Sequence, residues 1–95
     1  MNGIGRANYI DMIYEGQFKN GFWSGYGRAI WKDGSYHTGF FSNDRKNGPG
    51  MSIRPVKGIR KDDQDYGKWI VEEGIWTNDL LTEIKRQETV ENTLG

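Results

Sequence analysis

The sequence predicts a mainly β protein, an elongated antiparallel meander of stacked β-hairpins that ends in a short C-terminal helix. Fourteen of its 95 residues are glycine, and four Trp, five Tyr and four Phe supply many aromatic rings. Leucine, in contrast, occurs at three positions, all near the C-terminus. This composition favours sheets with many turns. Glycines and rings also recur along the chain at a nearly constant interval, and such a period is typical of a repeat array.

Composition and charge exclude several classes of function. The chain has 13 Lys and Arg against 13 Asp and Glu, so it lacks the basic excess of a nucleic-acid-binding domain, and we expect no nucleic-acid partner. No apolar run approaches the roughly 20 residues that span a bilayer, and the N-terminus does not resemble a secretory signal. Cysteine is absent, which excludes disulfides and thiolate chemistry and is consistent with an intracellular protein.

The repeat divides the chain into one domain of several segments. Two copies align without a gap, which places Gly16 on Gly39 and Gly27 on Gly50. The predicted segments are a half repeat 3–13, a repeat 14–36, a repeat 37–53, an inserted charged loop 54–65, a degenerate repeat 66–77 and a C-terminal helix 78–92.

Each copy predicts one β-hairpin. Tyr14, Gly16 and Phe18 alternate with period two and therefore share one face of a strand. The Asn20-Gly21 pair favours a turn, because both residues accept positive φ, and the chain then returns through the Gly25–Trp31 segment. A glycine leaves a hollow on the sheet that a ring from the neighbouring strand can cover. The hairpins should therefore interlock along one axis.

These motifs resemble a MORN (membrane occupation and recognition nexus) repeat. The resemblance is carried by Tyr14-Glu15-Gly16-Gln17-Phe18-x-Asn20-Gly21, then Gly25-x-Gly27, then Trp31-x-Asp33-Gly34. The later copies depart from the pattern, since His37 and Glu72 occupy the tyrosine position and Trp76 replaces the phenylalanine.

The resemblance implies a non-catalytic scaffold or adaptor without a cofactor. It also implies a subunit of a cytoskeletal, ciliary or membrane-associated assembly, in the cytoplasm or at the periphery of a membrane. Two alternatives stay open: an adaptor for phosphoinositide or other anionic lipid, and a regulatory repeat segment of a larger enzyme.

Strand parity predicts a sheet with apolar residues on both faces. One face carries Tyr14, Phe18, Trp31, His37, Phe41 and Trp76; the other carries Tyr26, Ile30, Phe40, Met51, Ile53, Val71 and Ile75. A helix capped by Thr77, with Leu80, Leu81 and Ile84 as its apolar stripe, would cover part of the sheet. Three side chains cannot cover seven, so apolar surface is left for a protein partner. The predicted partner-binding residues are Arg6, Tyr9, Tyr26, Ile30, Phe40, Met51 and Ile53.

The N-terminal end of the sheet is a second candidate surface. An edge strand near Arg6–Ile10 would offer unpaired backbone groups to a partner chain or to a second copy. Residues 1–61 hold ten Lys or Arg and four Asp or Glu, a balance of +6, whereas residues 62–95 hold three and nine, a balance of −6. Such a dipole favours head-to-tail self-association or orientation on a charged partner, unless the two patches neutralise each other. For the edge strand two alternatives stay open: the chain is a fragment of a longer array, or Arg6 blunts the edge.

The lipid alternative rests on the basic segment. Its candidate residues are Arg45, Lys46, Arg54, Lys57, Arg60 and Lys61. They are less dense than a polybasic membrane motif, and the acidic C-terminal third would be repelled by anionic lipid.

No residue pattern predicts catalysis or a metal site. His37 is the one histidine and occupies the aromatic position of the repeat, so we interpret it as a stacking residue. The acidic segment from Asp62 to Asp65 has calcium-loop spacing relative to Glu73, but Gln64 and Tyr66 occupy two ligand positions. A solvated charged loop is the better interpretation.

Overall fold

The described residues form one antiparallel sheet. The computed structural model describes residues 2–56, 62 and 66–91. In chain order its strands are β1 (Gly3–Asn8), β2 (Met12–Lys19), β3 (Phe22–Trp31), β4 (Tyr36–Ser42), β5 (Arg45–Pro55), β6 (Trp69–Thr77) and β7 (Leu80–Val90). Each strand pairs with the next, so the spatial order is the chain order. The predicted meander is confirmed, and its N-terminal edge strand lies over Gly3–Asn8.

The predicted C-terminal helix over 78–92 is wrong, because Leu80–Val90 forms β7. Asn78 and Asp79 both have positive φ, at 47° and 71°, and a right-handed helix cannot begin through them. The same two-residue turn joins the earlier hairpins at Asn20-Gly21 and Asn43-Asp44, whose φ values are also positive. Positive φ at both central residues matches the right-handed twist of a tight hairpin.

The predicted inserted loop, 54–65, begins inside a strand. Arg54 and Pro55 are the last residues of β5 and pair with β6. The greater part of the remaining segment lies outside the described residues.

A row of glycines crosses the sheet at right angles to the strands. The pairing places them directly opposite one another on six consecutive strands, as Gly5, Gly16, Gly27, Gly39, Gly50 and Gly74. A Cβ added at Gly39 would lie 2.5 Å from the Cα of Gly50, and one at Gly50 would lie 2.6 Å from Nε2 of His37. The strands therefore approach each other at this row more closely than side chains would permit.

The rings fill one face of the sheet, which we call the aromatic face. Tyr14 and Phe18 are buried there with Ala29 and Phe41. The Tyr14 ring reaches across to Gly27 and stacks on Trp23, with ring centroids 4.6 Å apart. Each edge-to-face or stacked pair adds about 1 kcal/mol beyond its buried area.

The register confirms which residues share a face. Tyr14 lies opposite Ala29, which lies opposite His37, whereas Ile30 lies opposite Tyr36 and then Ile53. The pairings of β2 with β3 and of β4 with β5 each shift by two residues, and a shift of two preserves the alternation of faces. The second face, which we call the open face, carries the predicted residues Tyr26, Ile30, Phe40, Met51, Ile53, Val71 and Ile75.

We predict that Gly39→Ala lowers the free energy of unfolding by about 3 kcal/mol, because the new methyl group collides with backbone that cannot move aside. Gly21→Ala is the matched control: its φ is +83°, but no atom lies within 4 Å of the added Cβ. Its cost should be the conformational penalty alone, about 1 kcal/mol. Urea unfolding measures both, and equal costs would contradict the role assigned to the glycine row.

Candidate protein-binding surfaces

The glycine row forms the floor of a groove on the open face, which we call the glycine groove. One wall carries apolar residues, with Ile4 in β1, Tyr26 in β3, Phe40 in β4 and Pro49 in β5. The opposite wall carries the row of Arg6, Glu15, Arg28, Thr38, Met51, Glu73 and Arg86, which pair in that order from β1 to β7. The floor between the walls is bare backbone.

The groove consists of two adjoining cavities that share Tyr26 and Thr38. The first, near β1, has a volume of about 560 Å³, and the second, near β6, about 340 Å³. Glu15 and Arg28 line the first, whereas Met51 and Glu73 line the second. The groove thus crosses the strands. Its apolar wall is interrupted by Gln17 in β2, opposite Ile4, and the other wall is mainly polar.

Two rings dominate the apolar wall. Tyr26 and Phe40 lie opposite each other and pack edge to face, with ring centroids 5.8 Å apart. Their exposed fractions are 55% and 45%, so they remain half open to water. The Tyr26 hydroxyl lies 3.0 Å from the Thr38 hydroxyl across the groove, which fixes the ring. A rigid, half-exposed aromatic pair is the kind of anchor that dominates protein interfaces.

The predicted partner-binding residues do not all line the glycine groove. Tyr26, Phe40 and Met51 line the groove, and Arg6 lies at the end of its charged wall. Ile30 and Ile53 share the open face but belong to the next row of side chains.

Tyr9 does not belong to this surface. Its ring packs against Trp23 of the aromatic face, and Trp23 Nε1 donates a hydrogen bond of 3.1 Å to its hydroxyl. Sequence reasoning missed Ile4, which is 85% exposed. The signal was available, because Ile4 stands between two glycines of the half repeat as Tyr26 stands between two glycines of the next copy.

The described basic residues do not form one surface. Lys46 lies on the aromatic face, with its ammonium 5.4 Å from the Trp31 ring centroid and 4.9 Å from that of Trp76. Desolvation by burial lowers the pKa of Lys46. Arg54 forms an ion pair with Glu72 at 3.0 Å, and Arg45 is exposed where β5 begins. Lys57, Arg60 and Lys61 lie outside the described residues.

His37 is a buried member of the aromatic face. Its ring packs edge to face on Phe41 and Trp76, and its Nδ1 lies 2.5 Å from the Ser52 hydroxyl. Nε2 is buried without a hydrogen-bond partner. Burial, and secondarily the charge of Lys46, lowers the pKa of His37 from 6.5 to about 3. The ring is therefore neutral at physiological pH and fills the tyrosine position of its repeat.

The family comparison matches the repeat found in the structure. The MORN repeat profile matches residues 14–36 and 37–56, which span β2 to β5. The chain contains two MORN repeats. MORN repeats are consistent with a module for protein or lipid interaction, and the family is generally non-catalytic. Comparison with curated proteins found no significant match.

The described residues contain neither a candidate metal-binding cluster nor a membrane-spanning helix. No cluster of three His, Asp or Glu residues suited to a metal ion occurs within 2–56, at 62 or within 66–91. The same part of the chain contains no helix that could cross a membrane.

We predict that His37→Tyr flattens the dependence of stability on pH. Because His37 has a lower pKa when folded, the unfolded chain binds more protons as the pH falls below 6.5. The histidine should therefore cost the native protein about 2 kcal/mol between about pH 7.5 and about pH 5, a loss that the tyrosine variant lacks. Urea unfolding at both pH values measures it, with His37→Phe as a second non-titrating variant. An equal loss in all three proteins would contradict the assignment.

Proposed function

We propose that this protein is a non-catalytic scaffold or adaptor that binds another protein through the glycine groove, as a subunit of a larger cytoskeletal, ciliary or membrane-associated assembly. The observation that carries the proposal is the half-exposed pair of Tyr26 and Phe40 beside a floor of glycine backbone. Apolar side chains left open around a groove are typical of interaction sites.

The walls of the groove suit a partner segment with one apolar side. Burial of the exposed parts of Ile4, Tyr26 and Phe40 would supply several kcal/mol, at roughly 25 cal/mol for each Å² of apolar area. The polar wall alternates in charge at its β1 end, where Arg28 contacts Glu15 at 3.3 Å. Exposed charges of this kind contribute little affinity but select the orientation of a partner.

Anionic lipid is the alternative that the groove does not favour. Of the basic candidates within the described ranges, Lys46 packs on tryptophan rings and Arg54 is paired with Glu72. A headgroup would have to compete with both arrangements. A regulatory segment of a larger enzyme would use the same groove, so that alternative differs from ours in the identity of the partner. The outer edge of β1 is a second surface that we propose for protein binding.

We expect that combining Tyr26→Ser with Phe40→Ser abolishes capture of the partner while preserving the fold. The partner is identified by crosslinking and mass spectrometry from native lysate with the wild-type chain. The matched control combines Ile10→Ser with Leu80→Ser, which removes two exposed apolar side chains that do not line the groove. Loss of capture in the first variant only supports the groove.

Two outcomes would count against the proposal. Equal capture by wild type and the Tyr26/Phe40 variant would place the binding surface elsewhere. Salt-sensitive sedimentation with anionic vesicles, lost when Lys57, Arg60 and Lys61 are neutralised and accompanied by no captured protein, would favour the lipid alternative.

A further inference from the structure

The first strand repeats a segment in the middle of the sheet. Residues 3–7 of β1 read Gly-Ile-Gly-Arg-Ala, and residues 25–29 of β3 read Gly-Tyr-Gly-Arg-Ala. Each pairs in the same way with the strand that follows it: Gly5 lies opposite Gly16 as Gly27 lies opposite Gly39, and no register shift interrupts either pairing. β1 is therefore structurally equivalent to β3.

The other edge of β3 shows what this kind of strand accepts. Along that edge runs the Tyr14-Glu15-Gly16 segment of β2, opposite Ala29, Arg28 and Gly27. The three pairs have distinct roles. The ring of Tyr14 extends over Gly27, the carboxylate of Glu15 pairs with Arg28 at 3.3 Å, and Gly16 allows the close approach of the backbones.

The corresponding edge of β1 has no strand on it within the described residues. Gly5 and Ala7 are half-exposed, whereas their counterparts Gly27 and Ala29 are buried. Arg6 has no ion pair in the part of the chain that the structure describes, because Glu15 contacts Arg28. The edge thus keeps the small residues and the positive charge that β3 uses to hold β2.

We propose that the outer edge of β1 binds, in antiparallel orientation, an extended strand of a partner protein with the pattern aromatic–acidic–glycine. The aromatic residue would lie opposite Ala7 with its ring over Gly5, the acidic residue opposite Arg6, and the glycine opposite Gly5. This inference rests on the proposed protein-binding function and names the chemistry of a second surface for it.

A second folded copy of the chain is not the occupant. Its segment of this pattern, Tyr14-Glu15-Gly16, lies in β2, which is already paired on both sides by β1 and β3. Because the sheet has seven strands in chain order, its two edges also run in the same direction. Head-to-tail stacking of copies would therefore join an antiparallel sheet through a parallel pair. The occupant that we propose is therefore a partner protein that leaves a strand of this pattern unpaired.

The test uses the full chain and a labelled peptide with the sequence of residues 12–20, which contains Tyr14, Glu15 and Gly16. We expect saturable binding by fluorescence anisotropy, with hydrogen-exchange protection gained in β1. Arg6→Glu should weaken binding about tenfold, because an opposite-charge cross-strand pair becomes a like-charge pair. A peptide carrying Glu15→Arg should restore binding to that variant, whereas Arg45→Glu, the same charge change four strands away, should have no effect.

The proposal is overturned if the peptide does not bind up to its solubility limit, or if binding is insensitive to Arg6→Glu. Loss of protection in β2 would also overturn it, since the peptide would then be replacing β2. Should Arg6→Glu fail to fold, peptides carrying Tyr14→Ser or Gly16→Val test the same contacts on the wild-type chain, and unchanged binding of either would refute them. None of these variants alters Tyr26 or Phe40. A negative result therefore contradicts the proposal for β1 and leaves partner capture by the glycine groove to its own test.

Discussion

The close approach of backbones along the glycine row is the constraint on which the rest of the structure depends. On the aromatic face it lets the Tyr14 and His37 rings reach over Gly27 and Gly50, so each hairpin packs against the next without a second layer. On the open face the same row of backbone forms the floor of the glycine groove. The core and the candidate binding site therefore lie on opposite faces of the same glycine row. A side chain that forced the strands apart at this row would disturb both.

The turns give the single-layered sheet a second source of rigidity. Asp44 of the β4–β5 turn accepts a hydrogen bond from the backbone of Trp23 at 2.7 Å and donates its own N–H to the Trp23 carbonyl at 3.2 Å. Asp79 of the β6–β7 turn makes the same reciprocal contacts with Lys46, at 2.8 and 3.0 Å. Trp23 and Lys46 occupy equivalent positions in successive repeats, so each turn is tied to the start of the preceding hairpin's second strand. These reciprocal hydrogen bonds hold neighbouring hairpins together at the turn end of the strands, where water would otherwise compete for the same backbone groups.

Sequence periodicity could predict the meander and the two faces, because alternation survives register shifts of two residues. It failed at the C-terminus, where Thr77, Asn78 and Asp79 suit a helix N-cap as well as a hairpin turn. The distinguishing fact was that Asn78 repeats Asn20 and Asn43, each of which has positive φ. Tyr9 was misplaced for another reason: it lies in the turn after β1, where alternation no longer dictates direction. The groove required the register across strands, which a period along the chain does not specify.

The uneven charge of the chain has a local explanation in the pairing of β5 with β6. Arg54, from the basic segment, pairs with Glu72 of the acidic segment, and Gln87 of β7 donates a further hydrogen bond of 3.0 Å to the same carboxylate. The two patches therefore partly neutralise each other inside one sheet, which weakens the case for head-to-tail attraction between copies. Arg6 differs from Arg54 because no carboxylate among the described residues forms an ion pair with it. Specific recognition at this end would then depend on one positioned charge and on backbone shape, more than on the overall dipole.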